Sequence, residues 1–141
     1  MTHLFILDTD HVTLLQRGDS QVVKHLDEVS KHLIATSVIT YEEQLRGRLA
    51  VIRQAQTLDR LTLAYFRLRE MHAFFCAIQL VDFDLSSARI YETLRKEYHR
   101  LGKMDLRIAA TVLAHDGVLV TRNQSDLGQI VGLSTQVWFV P

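Results

Sequence analysis

The sequence predicts an α/β fold: a mostly parallel sheet of about five strands between two helical layers, a doubly wound three-layer α/β/α arrangement. Three observations predict it. Short apolar runs rich in β-branched and aromatic residues recur along the chain, and such runs favour strands. Longer stretches with apolar residues on one side separate them, as helices require. Strands joined through helices form right-handed crossovers, which lay the strands parallel and place helices on both faces.

The elements follow in chain order. Residues 4–7 (LFIL) read as a buried strand that stops at Asp8, and residues 32–35 (HLIA) as a second. From about Thr40 to Phe75 no strong breaker follows Gly47, and Leu45, Leu49 and Ile52 recur at helical spacing, so this stretch predicts two helices. Residues 78–81 (IQLV) predict a third strand. Ile90, Leu94, Tyr98 and Leu101 mark a helix within residues 84–101, and a further helix starts at Asp105, with Ile108 above Val112 and Ala109 above Leu113. Residues 118–120 (VLV) and 137–140 (VWFV) predict the fourth and fifth strands.

Composition bounds the function. The chain has 141 residues, 48% of them apolar and 23% charged, with one proline and six scattered glycines. No linker, repeat or low-complexity tract divides it, so residues 1–141 predict one domain. Sixteen basic residues balance sixteen acidic ones, which excludes a histone-like coat or a polybasic membrane tether and leaves any nucleic-acid contact to a local patch. Cys76 is the only cysteine, so an internal disulfide and a multi-cysteine zinc site are both excluded. The start of the chain lacks a signal-peptide pattern, and no apolar run approaches the ~18 residues of a membrane span. The expectation is a cytoplasmic protein with no membrane partner.

The acidic residues carry the chemistry. Asp8 follows a buried strand directly, within Leu7-Asp8-Thr9-Asp10, and open α/β sheets bind ligands beyond the carboxyl ends of their strands. The second strand leads through Ser37-Val38-Ile39-Thr40 to Glu43, in the first turn of the next helix; Asp105 opens the helix before strand four; Thr121-Arg122-Asn123-Gln124-Ser125-Asp126 follows that strand. Asp105 joins the same edge only if an extra helix reverses the chain, and residues 84–101 supply it. Helix capping competes as an explanation. Thr40-x-x-Glu43 matches a capping box, and Asp105, Asp10 and Asp84 suit N-caps. Asp8 is the exception, with no helix end of its own. Three or four carboxylates at one edge raise each other's pKa unless a cation neutralises them. Hard oxygen donors suit Mg²⁺ or Mn²⁺. The seven histidines are dispersed without zinc-ligand spacing, and His11, beside the Asp pair, reads as a surface or packing residue.

With these motifs in order, the sequence resembles the PIN-domain proteins of the VapC type, the toxin ribonucleases of bacterial type II toxin–antitoxin pairs. The landmarks are Leu7-Asp8-Thr9-Asp10, Ser37-Val38-Ile39-Thr40-x-x-Glu43 with Gly47, Met104-Asp105-Leu106-Arg107-Ile108-Ala109-Ala110, and Leu119-Val120-Thr121-Arg122-Asn123 with Asp126-Leu127. The resemblance covers essentially the whole chain. It implies that Asp8, Glu43 and Asp105 hold Mg²⁺ or Mn²⁺ and that Thr9, Asp10 and Thr121 belong to the site. Many relatives carry a fourth acid where this chain has Asn123, which puts a second metal in doubt and leaves Asp126, one turn away, as the substitute. The implied function is metal-dependent endoribonuclease cleavage of RNA. Asp10 or Asp126 would orient the attacking water. Arg107 and Arg122, inside the motifs, would meet the RNA backbone, with Arg46, Arg48 and Lys103 nearby, against the competing reading of a solvated surface.

Three other readings use the same residues. A haloacid-dehalogenase-like phosphohydrolase would employ Asp8 as nucleophile and Asp10 as acid/base, but it needs a late acidic pair where this chain has Thr121-Arg122-Asn123, and it leaves Glu43 idle. A PIN fold that binds without cutting is opposed by the intact Asp8, Glu43 and Asp105. An RNA-processing PIN nuclease would keep the chemistry and lack an antitoxin. For partners, Leu58, Leu61, Leu63, Tyr65, Phe66, Leu68, Met71, Phe74 and Phe75 exceed what one helix face can bury. The surplus predicts an exposed apolar patch for a cognate antitoxin segment, a two-fold homodimer, or both.

Overall fold

The computed structural model describes residues 3–141; Met1 and Thr2 lie outside them. Five parallel strands form one sheet in the order β3-β2-β1-β4-β5. They are β1 (Phe5–Leu7), β2 (Ile34–Ser37), β3 (Gln79–Val81), β4 (Val118–Val120) and β5 (Ser134–Gln136). The helices are α1 (Thr9–Gln16), α2 (Ser20–Asp27), α3 (Val38–Gln54), α4 (Leu58–Ala77), α5 (Leu85–Glu97), α6 (Lys103–Ala114) and the single turn α7 (Gln124–Leu127). Among the described residues no helix is long and apolar enough to cross a membrane.

The three central strands β1, β2 and β4 are buried on both faces, and side-chain alternation divides the core in two. Ile6, Ala35 and Leu119 point into a cluster with Leu106, Ala109 and Val112 of α6 and Leu94 of α5. Leu7, Ile34 and Val120 point into the other, with Val12 of α1, Val22 of α2 and Met71 and Phe75 of α4. The in-register pairs Leu7↔Thr36 and Leu7↔Val120 bring the ends of β1, β2 and β4 level. The Asp8 N–H donates to the Val120 carbonyl at 3.0 Å, and the Thr36 hydroxyl to the Leu7 carbonyl at 2.7 Å. Everything that leaves these three strands therefore leaves at one edge.

Caps decide where the helices begin, and they differ from the sequence reading. Asp8 is itself the N-cap of α1, accepting from the His11 N–H at 2.9 Å, because the helix starts at once after the strand. The helix then stops in a Schellman turn, where Gly18 takes a φ of 73° that a side chain disfavours. Its N–H bonds the Leu15 carbonyl and the Asp19 N–H the Leu14 carbonyl, both at 3.0 Å. Ser37, not Thr40, caps α3, so the capping box is not made and Glu43 stands in the second turn rather than the first. Gly102 precedes α6 without any side-chain cap bond, and Asp105 is the third residue of the helix instead of its N-cap. Asp84 does cap the helix after it, accepting from the Ser87 N–H at 2.9 Å. The extra helix before Asp105 is α5, packed against α6.

The fifth strand falls three residues earlier than expected. The polar Ser134–Gln136 pairs with β4, register Val120↔Gln136, while residues 137–140 run past the sheet edge. Trp138 is instead buried against Phe5, with ring centroids 5.7 Å apart, and stacks on His25. An apolar run is drawn to apolar surface, and here that surface lies under α1 and α2 rather than in the ladder.

Candidate active site

Asp8, at the exit of β1, has a side chain only 14% exposed. Its Oδ1 takes two donors from one residue, the backbone N–H of His11 at 2.9 Å and the imidazole Nδ1 at 3.0 Å. Thr9, the first residue of α1, donates its hydroxyl to Glu43 Oε1 at 2.6 Å, and Thr40 Oγ1 stands 3.2 Å from the same hydroxyl. The short O–H···O⁻ bond is of the charge-assisted kind. It crosses from α1 to α3 and sets the carboxylate of Glu43 toward the β1 edge. Asp105, half-buried in α6, receives the Asn123 amide, Nδ2 to Oδ2 at 3.4 Å. Asn123 is placed by Thr121, a buried residue whose hydroxyl accepts the Asn123 N–H at 3.0 Å and whose own N–H bonds the Gln136 carbonyl at 2.8 Å.

The charges feel one another. Burial raises the pKa of Glu43 above the usual carboxylate range; the Thr9 hydrogen bond opposes this, and the charges of Asp105, Asp8 and Asp10 add to it. Asp105 is raised by burial too, lowered in part by Asn123, and raised again by Asp8, Asp10 and Asp126. Glu43 and Asp105 thus both lie within electrostatic reach of Asp8 and Asp10, and Asp105 of Asp126 as well. Among the described residues, no three Asp, Glu, His or Cys side chains are drawn up around one point as a finished cation cage. Each of the three half-buried acids is held by a neutral donor instead: Asp8 by His11, Glu43 by Thr9, Asp105 by Asn123. Asp10 and Asp126 are exposed at the rim.

The basic residues are arranged less tightly. Arg122 lies over the Phe139 ring at 5.0 Å, and Arg107 over the Tyr91 ring at 5.2 Å. Arg46 pairs with Glu42 at 2.9 Å on the surface, and Lys103 is exposed. Arg48 lines a cleft of about 530 Å³ with Arg17, Arg67, Thr13 and Gln16. Sequence reasoning did not find Arg17 and Arg67, because only the packing of α1 against the α3–α4 hairpin brings them together. It also missed what His11 does; of the surface and packing alternatives, the residue takes the buried one, and its bond to Asp8 was not foreseen.

The raised carboxylates make a stability prediction. A group that binds its proton more tightly folded than unfolded favours folding at acid pH. Its contribution falls as pH rises from the ordinary carboxylate value through the raised folded one, and the loss is complete above that. Glu43→Gln and Asp105→Asn should each stabilise the metal-free protein at pH 7 by about 0.5–2 kcal/mol, as relief of functional-site strain does. Each should also flatten its stability–pH curve through the acid range. Chemical denaturation from pH 4 to 8 in the presence of a chelator measures both effects; variants less stable than wild type at pH 7 would contradict the repulsion.

Comparison with known proteins agrees with this geometry. The PIN domain family model matches residues 5–130. Two curated relatives, each named Ribonuclease VapC1, come from Haemophilus influenzae strains R2866 and 86-028NP. Each is 24% identical over 139 residues, covering 96% of this chain and 98% of the relative. Among solved structures, DNA-bound VapBC from Salmonella typhimurium matches with a TM-score of 0.78 at 20% identity, over 97% of this chain and 99% of that one. VapBC-1 from nontypeable Haemophilus influenzae matches with a TM-score of 0.74 at 21% identity, over 96% and 98%. A toxin–antitoxin complex from Klebsiella pneumoniae matches with a TM-score of 0.73 at 22% identity, over 98% and 99%. These likenesses carry the fold, and the family match sets aside the phosphohydrolase reading.

Proposed function

The chain belongs to the PIN domain family, and from that premise we propose that residues 1–141 act as one endoribonuclease unit that depends on Mg²⁺ or Mn²⁺ and serves as the toxin of a type II toxin–antitoxin pair. The observation that carries the reading is the meeting of Asp8, Glu43 and Asp105 at one sheet edge, where burial and mutual charge push two of them up in pKa. The donor set fits a hard divalent cation: carboxylate oxygens only, with unneutralised like charge and no sulfur. Asp8, Glu43 and Asp105 would hold it. What a bound Mg²⁺ or Mn²⁺ supplies is positive charge at the scissile phosphate and the acidification of a water molecule.

The rest belongs to the chain's own groups. Thr9 keeps Glu43 turned to the β1 edge, and Asn123 does the same for Asp105 as a neutral donor where an acid would add repulsion. Asp10 or Asp126, both exposed, would orient an attacking water through a hydrogen bond. Arg122 and Lys103, next to Thr121 and two residues before Asp105 in the chain, would supply charge to the phosphate backbone, as would the cleft where Arg17, Arg48 and Arg67 outnumber Glu70. Arg107, expected at the RNA backbone, is instead folded onto Tyr91 of α5, and two residues along the helix from Asp105 it leaves α6 on another side. The test is cleavage of total RNA by the purified chain with Mn²⁺, with Mg²⁺ and with a chelator; RNA cut equally in all three would overturn the metal dependence.

The partner reading rests on the α3–α4 hairpin. Met71 and Phe75 are buried and Phe74 packs on Phe75, whereas Leu58, Leu63, Tyr65 and Phe66 remain exposed. The apolar surplus therefore divides between core and surface. Several solved structures of like fold are VapBC or toxin–antitoxin complexes, which supports a cognate antitoxin; the exposed apolar residues of this hairpin are the face we assign to it or to a homodimer. Phe66, 56% exposed, is the probe that spares the core, unlike Phe74. Phe66→Glu should keep the melting temperature within about 2 °C, as surface changes do, and weaken self-association or binding of the neighbouring gene's product by tenfold or more. Light scattering and titration of the two purified proteins measure this; unchanged assembly would reject the face.

A further inference from the structure

His11 is fully buried, and beyond its bond to Asp8 it has a second polar partner that the proposed chemistry does not use. The Trp138 backbone N–H lies 3.2 Å from its Nε2. A backbone N–H can only donate, so Nε2 accepts and the ring proton sits on Nδ1. That proton points at Asp8 Oδ1, 3.0 Å away. Oδ1 already takes the His11 backbone N–H at 2.9 Å. Among the described residues, no hydrogen bond reaches the other oxygen, Oδ2. One carboxylate oxygen is saturated from behind, and one is left for the site.

The tautomer is held from the far side. Residues 137–140 are docked independently of His11. Trp138 stacks on His25 with centroids 5.6 Å apart and planes 7° apart. Gln21 grips Val140 in both directions, its Nε2 donating to the carbonyl at 2.9 Å and its Oε1 accepting the N–H at 3.1 Å. The segment therefore presents the Trp138 N–H to the ring as a fixed donor. Both partners select the same tautomer: the acceptor-only carboxylate of Asp8 calls for the proton on Nδ1, and the Trp138 N–H calls for a lone pair on Nε2.

We infer that His11 is a positioning residue for the proposed metal site: its Nδ1–H pins Oδ1 of Asp8 so that Oδ2 is the oxygen offered to a divalent cation, and its Nε2 locks that state through Trp138. The inference rests on the metal-dependent nuclease reading. Groups that orient ligands in this way are worth roughly 10–100-fold in metal affinity.

Two replacements separate the nitrogens. His11→Asn keeps a donor at the δ position and loses the acceptor at ε; His11→Gln does the reverse. With Mn²⁺ as the probe, calorimetry on the metal-free proteins should find His11→Asn within about threefold of wild type and His11→Gln about tenfold or more weaker, although both lose a buried hydrogen bond and melt lower. Equal affinities, or equal losses, in the two variants would mean that His11 only packs. A wild type that binds no Mn²⁺ overturns the metal reading itself, and the pinning of Asp8 is then decided by imidazole ¹⁵N resonances, as it also is if the variants fail to fold. A proton on Nδ1, with a ring resonance that shifts in Asp8→Asn, upholds the pinning. A proton on Nε2, or no response to Asp8→Asn, overturns it.

Discussion

Asp8→Asn protein should fold as the wild type does and cut RNA at least about a thousandfold more slowly, a barrier increase of about 4 kcal/mol at 1.36 kcal/mol per factor of ten. The two halves of this expectation have separate causes. Asp8 caps α1 through Oδ1, and asparagine caps as well as aspartate. The amide oxygen keeps the His11 N–H, so helix entry and the β1 edge survive. That same bond turns the new NH₂ to where Oδ2 stood, and a donor replaces the free anionic oxygen. Alanine is the poorer control, since it removes the cap as well and costs about 1 kcal/mol of stability. A fluorogenic RNA assay with Mn²⁺, paired with a circular dichroism melt, checks both halves. Full Mn²⁺-dependent activity in Asp8→Asn would remove Asp8 from the ligands.

The second large effect is on stability. Like charges held together by the fold strain it, and a cation that binds only the folded form relieves that strain by mass action. At a hundred times its dissociation constant, Mn²⁺ should add about 2.7 kcal/mol, or about 8 °C of melting temperature for a chain of this size. A chelator should reverse the shift, and Ca²⁺, which asks for six to eight oxygen ligands, should give less of it from three carboxylates. In Asp105→Asn the metal-free protein should melt higher than wild type and the Mn²⁺ increment should mostly vanish. Differential scanning fluorimetry across a Mn²⁺ series reads this directly. No Mn²⁺ increment in wild type, or an equal increment in Asp105→Asn, would show that the acids do not act as one site.

Much of this architecture is legible in the amino-acid order. A strand buried on both faces must be apolar throughout, so Phe5–Leu7, Val118–Val120 and their like announce themselves. Once parallel strands are read, every residue that follows one is placed at the same edge, and Asp8 and Thr121 are located without coordinates. Glu43, in the helix that leaves the second strand, follows by the same rule; Asp105 needed one step more, the reversal through α5, and the pattern of Ile90 and Leu94 was enough for it.

The misplaced elements have separate causes. Val137–Val140 satisfies a strand's composition, and composition cannot say whether the apolar run will meet a ladder or a helix layer; Trp138 found Phe5 and His25 instead. The helix starts at Asp8 and Ser37 were displaced by the tight strand exits, which leave no room for the later caps at Asp10 and Thr40.

By itself the sequence determined the fold class, the common edge and the identity of the acids there, because burial and alternation are local properties of a chain. Only the tertiary structure decided how each acid is held. Thr9 meets Glu43, Asn123 meets Asp105, and His11 meets both Asp8 and Trp138. Apart from His11 and Asp8, these partners are far apart in the chain, up to 127 residues for His11 and Trp138. A hydrogen bond depends on distance and direction in space, and residue order carries neither until the two core faces have packed.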